Sequence, residues 1–61
     1  METLQKIKES TSQMMVEGEK FYKGNKSAGT RARKLAQEIK TLLQTLRNEI
    51  LEERKKTEDA V

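Results

Sequence analysis

Apolar residues in the first third of the chain recur at a helical interval. Leu4, Ile7, Thr11, Met14, Gly18 and Phe21 are spaced 3, 4, 3, 4 and 3, a heptad seam with Thr11 and Gly18 as its weak members. The spacing predicts a first helix over about residues 2–23, with Thr3 as a candidate cap and Met15 and Tyr22 widening the stripe on one side. A second series follows. Ala28, Ala32, Leu35, Ile39, Leu42 and Leu46 step by 4, 3, 4, 3 and 4, with Ala36, Leu43 and Ile50 alongside. This predicts a longer helix over about residues 26–57, whose seam fails at Glu49 and Glu53. Between the two lies Gly24-Asn25. Glycine supplies the left-handed residue that ends a helix, and Asn25 accepts the first unpaired amide protons of the next, with Ser27 as its rival.

A connection this short sets the helices antiparallel. The fold class is therefore all-α: a single helical-hairpin domain over residues 1–61. Small residues near the turn (Gly18, Ala28, Gly29, Ala32) suggest close backbone approach, and Phe21 and Tyr22 read as hairpin core. The first helix is too short to cover the second, which leaves Leu46, Ile50 and Leu51 facing water in a lone hairpin. Exposed apolar surface of that kind marks an interface. The expectation is a homo-oligomer, dimer or tetramer, closing into a four-helix coiled-coil bundle.

Composition sharpens this picture. The chain has 61 residues, of which 33% are hydrophobic and 38% charged, a balance that suits helices completing their core between chains. It has no Cys and no His, which removes thiolate chemistry, the usual general base and the commonest metal ligands. No catalytic residue, metal site, cofactor or small-molecule substrate is expected. The isolated Leu4 and Ile7 do not form a signal peptide, and no apolar run approaches the roughly 20 residues of a membrane span. The expected location is the cytoplasm.

Charge is unevenly placed. Residues 20–34 contain six cations (Lys20, Lys23, Lys26, Arg31, Arg33, Lys34) and no acid, while the whole chain carries only +3. With Ala32, Ile39 and Leu46 at heptad position a, the cations Lys26, Arg33, Lys40, Arg47 and Arg54 all fall at b. A line of cations free of acids is suited to phosphate, because each contact releases a condensed counterion. Candidate DNA-binding residues are thus Lys20, Lys23, Lys26, Arg31, Arg33, Lys34, Lys40 and Arg47, acting on the phosphate backbone without reading bases. The competing reading is a helical protein-interaction module whose cations only keep it soluble. A membrane-surface helix fits less well, because acids interrupt its polar face.

Residues Lys23-Gly24-Asn25-Lys26-Ser27-Ala28-Gly29-Thr30-Arg31-Ala32-Arg33-Lys34 resemble the start of the chlamydial-type bacterial histone-like, or linker-histone-like, nucleoid proteins. In those, Lys-Gly-Asn-Lys-Ala-Ala precedes spaced arginines and a charged helix. The resemblance implies a nucleoid-associated protein that coats, bridges or compacts DNA without sequence preference, with Lys23, Lys26, Arg31, Arg33 and Lys34 in contact. Chlamydial members carry a long Lys- and Ala-rich tail, whereas this sequence ends in Glu58-Asp59-Ala60-Val61. The expectation is a member lacking the basic C-terminal tail, acting through several basic ends of one oligomer.

Overall fold

A computed structural model describes residues 2–60, with side chains from Glu2 to Lys56. Helix α1 spans Glu2–Tyr22 and helix α2 spans Lys26–Ala60. They pack as an antiparallel hairpin 55 Å long and 14 Å across in its two thin directions. The first helix ends one residue before the expected boundary and the second runs three residues beyond it.

The turn follows from three residues. Lys20 accepts from the Asn25 amide at 3.0 Å and Phe21 from the Gly24 amide at 2.9 Å, the paired bonds of a Schellman C-cap. This geometry places Gly24 at φ +108°, where a Cβ is strongly disfavoured. Asn25 then caps α2, its Oδ1 accepting from the Ala28 amide at 3.1 Å. Asn25, not Ser27, is the N-cap.

On α2 the heptad spacing is borne out. Ala28 is fully buried, and Ala32, Leu35, Ile39, Leu42 and Leu46 are half-buried along the same line. On α1 the seam differs from expectation. Ile7, Thr11, Met14 and Gly18 face α2 at least in part, but Leu4 and Phe21 are about half-exposed, and Thr3, Ser10 and Glu17 turn inward. Polar partners across the hairpin explain the rotation. Thr3 Oγ1 donates to Glu49 Oε1 at 2.6 Å, and Arg31 Nε donates to Glu17 Oε2 at 2.7 Å. Charge-assisted bonds of this kind are stronger than neutral ones, so they draw the Thr3-Ser10-Glu17 line toward α2 and turn Leu4 out. Thr3 is thereby a cross-helix donor inside α1, not its cap.

Close approach near the turn occurs at one of the two expected glycines. A Cβ on Gly29 would stand 2.5 Å from Cδ1 of Phe21, so the ring lies against the bare backbone at the start of α2. A Cβ on Gly18 would meet nothing within 4 Å. Phe21 holds its place over α2, but Tyr22 is 88% exposed and is not core. The two rings meet edge to face, with centroids 5.4 Å apart.

Because Thr3 bonds Glu49, the first helix accompanies the second only that far. Ile50 and Leu51 beyond it are half-exposed, whereas Leu46 remains partly covered.

Candidate nucleic-acid interface

The seven-residue repeat of cations becomes a line on the surface because α2 is continuous from Lys26 to Ala60. Lys26, Arg33, Lys40 and Arg47 are all exposed, and among the described residues none forms an ion pair. Successive members are about 10.5 Å apart along the axis, and the four span about 32 Å. Arg54 continues the series, also exposed.

The hairpin has two unlike flanks. On one, Lys26 and Arg33 border a shallow groove with Phe21, Tyr22, Gly29 and Thr30, and Lys40 and Arg47 border another with Met14, Ile39, Leu43 and Gln44. No acid lines either groove. On the opposite flank, one groove is lined by Lys6, Glu9, Ser10, Glu38, Thr41 and Leu42, and another by Glu2, Thr3, Thr45, Asn48, Glu49, Glu52 and Glu53. Six acids therefore line the grooves of one side, and the cation line borders those of the other.

The other candidate cations are placed differently. Arg31 is engaged across the hairpin by Glu17, whose side chain is 6% exposed, and Lys20 Nζ lies 3.7 Å from the same carboxylate. Gln13 Nε2 adds a long donor contact at 3.4 Å. The hydrogen bond from Arg31 holds the Glu17 carboxyl below its usual range, and burial, which acts in the opposite sense, does not reverse this. Two of the six cations in residues 20–34 thus share one buried carboxylate. Lys34 is exposed, but it is turned about 100° around α2 from Arg33. Lys23 is exposed in the turn.

The window of residues 20–34 stops three residues short of Glu17, which is why its charge balance looked wholly basic. The missing signal is symmetry about the turn: Glu17 and Arg31 are each seven residues from Gly24. A second partly buried carboxylate, Glu49, has Oε1 bonded to Thr3, while its Oε2 is buried with no hydrogen-bond partner among the described residues. No group of three or more acids, among the described residues, is arranged to hold a metal ion. No described helix is long and apolar enough to cross a membrane.

No curated protein and no solved structure matches the chain. The profile of one protein family does match, over residues 1–56, and so takes in both helices up to Lys56, the Gly24-Asn25 turn and the whole line from Lys26 to Arg47. The chain belongs to the histone H1-like protein Hc1 family.

Proposed function

We infer that this protein is a DNA-binding, nucleoid-associated protein that engages the phosphate backbone without reading bases. The observation that carries the reading is the line of Lys26, Arg33, Lys40 and Arg47, exposed, without ion pairs among the described residues, and on the flank whose grooves contain no acid. Membership of a histone H1-like family supports it. The line is about 32 Å long, close to the roughly 34 Å of one duplex turn, so one hairpin lying along DNA brings its cations to phosphates within a single turn. Lysine and arginine suit such contacts, arginine as a two-pronged donor to phosphate oxygens. Arg31 and Lys20, drawn to Glu17, serve the fold first, while Lys23 and Lys34 add to the local field.

The experiment is a salt titration of binding to two unrelated 30-bp duplexes. Four phosphate contacts give a slope of log affinity against log salt near −3.6, or about a 150-fold loss between 50 and 200 mM. Both duplexes should give the same slope. Arg33→Gln/Lys40→Gln should bring it to about −1.8, whereas Arg31→Gln should leave it nearly unchanged and lower the melting temperature instead. A parent slope near zero, or no binding at 50 mM salt, refutes the reading in favour of a module that binds protein alone. Coating follows from this line by itself. Bridging or compaction needs a second binding surface, which an oligomer would supply.

A further inference from the structure

We propose that the turn end of the hairpin stacks an unpaired base of single-stranded DNA on Tyr22, with Phe21 bracing the ring and Lys23, Lys26 and Arg33 neutralising the flanking phosphates. The proposal deepens the phosphate-binding reading and rests on it.

Exposure is the first observation. Tyr22, the last residue of α1, is 88% exposed. Every other exposed large apolar side chain among the described residues, from Phe21 at 45% to Met15 at 59%, keeps about half of its surface covered. Tyr22 is thus the large ring that the hairpin does not use to hold its helices together.

The ring is nevertheless held in place. Phe21 meets it edge to face, with centroids 5.4 Å apart and planes inclined by 69°. Phe21 in turn lies on the bare backbone of Gly29. The backbone below both rings is fixed by the bonds from the Gly24 amide to Phe21 and from the Asn25 amide to Lys20. One edge contact cannot cover both faces of a ring, so Tyr22 keeps a face open. An aromatic surface placed in advance loses little freedom when a ligand arrives.

Charge identifies the occupant. Tyr22 and Phe21 line a groove of about 400 Å³ with Lys26 and Arg33, and no acid lines it. That volume lies within the roughly 300–1,000 Å³ of small-ligand sites. Lys23 follows Tyr22 directly and is exposed. The nearest acid in sequence, Glu19, is exposed three residues back on α1, outside the groove lining. Cations beside an open aromatic face suit a strand of phosphates carrying bases that are free to stack. Every base has such a face, so stacking adds affinity without reading sequence. A paired base is already stacked in its duplex, which commits the ligand to unpaired DNA.

The chain reports on itself, because Tyr22 is its one tyrosine and it has no tryptophan. The probes are oligo(dT) of about 12 nucleotides and an abasic strand of the same length, which carry the same phosphates. Oligo(dT) should quench the Tyr22 emission by at least about half, after correction with N-acetyltyrosinamide for absorption by the bases, and the abasic strand should not. Oligo(dT) should also bind about 5- to 140-fold tighter than the abasic strand, the range for stacking one base. Tyr22→Ala and Tyr22→Leu should abolish that difference, and Tyr22→Phe should keep it. Equal binding of both strands with unchanged emission overturns the proposal and leaves the phosphate reading standing. Binding of neither strand overturns both. A Tyr22→Ala chain that loses affinity for both strands alike overturns the stacking role. In the free chain at about 100 μM, acrylamide should reach Tyr22 to within about threefold of N-acetyltyrosinamide. A ring shielded before DNA is added is covered by a second copy, which also overturns the proposal.

Discussion

The contact between Phe21 and Gly29 sets two known effects against each other, and their balance can be measured. Alanine in place of glycine inside a helix is intrinsically favourable, by about 0.5–1 kcal/mol. At position 29, however, the new methyl would stand 2.5 Å from Cδ1 and 2.8 Å from Cε1 of Phe21, separations that carbon atoms do not tolerate. The ring must move by about 1 Å or leave, because favourable carbon contacts begin near 3.5 Å. Phe21 is 45% exposed, so just over half of its surface is covered where it lies. For an aromatic burying 150–250 Å² in full, that is about 110 Å², worth about 2–3 kcal/mol if wholly lost. The clash therefore wins: Gly29→Ala should destabilise by about 1–2 kcal/mol net, a fall in melting temperature of roughly 4–16 °C for a domain this small. Its sign should reverse in a Phe21→Ala background, where Gly29→Ala should stabilise by about 0.5–1 kcal/mol. The assay is thermal and urea unfolding by circular dichroism at fixed chain concentration, completed as a double-mutant cycle. If Gly29→Ala is neutral or stabilising in the parent, or if its effect is the same in both backgrounds, the ring does not lie on that glycine and the reasoning fails.

Gly18→Ala is the matching control, since a methyl there meets nothing within 4 Å; it should raise stability by about 0.5–1 kcal/mol, as read by the same unfolding curves. Gly24→Ala, at φ +108°, should cost about 1–2 kcal/mol, and a chain that melts unchanged would contradict the turn described here. Asn25→Ala should remove the cap bond to the Ala28 amide and cost about 1 kcal/mol, with Asn25→Ser recovering most of it. Glu17 titrates below its usual range in the folded chain, so its contribution is fully present above the ordinary glutamate value and disappears as pH falls through the lowered folded value. Urea titrations across the acid range should show that loss in the parent and a flatter curve in Glu17→Gln, with Arg31→Gln behaving like Glu17→Gln.

Legibility varied with the kind of signal. The α2 seam was readable because Leu35, Ile39, Leu42 and Leu46 are large, regular and uninterrupted. The turn was readable because Gly24 and Asn25 each have a backbone role that few other residues can fill. The α1 seam was only partly readable. Its apolar positions are weak, and helix rotation was settled by two polar contacts between residues far apart in sequence, Thr3 with Glu49 and Glu17 with Arg31. Hydrophobic periodicity carries no information about such pairs. The cation repeat was visible as a pattern, but the different standing of Arg31 was not, because its partner lies on the other helix. Tyr22 was misread for a simpler reason: of two adjacent aromatics at a helix end, only one side can face the neighbour.

The course of the backbone also fixes where attached polypeptide would emerge. Since α1 starts beside Glu49 and α2 continues eleven residues past that point, the start of α1 and the end of α2 both lie in the half of the 55 Å rod away from the turn, about 16 Å apart along its axis. A fluorophore, affinity tag or fused domain joined beyond either helix would crowd that half alone. The bend at Gly24, some 30 Å away along α1, would stay unencumbered.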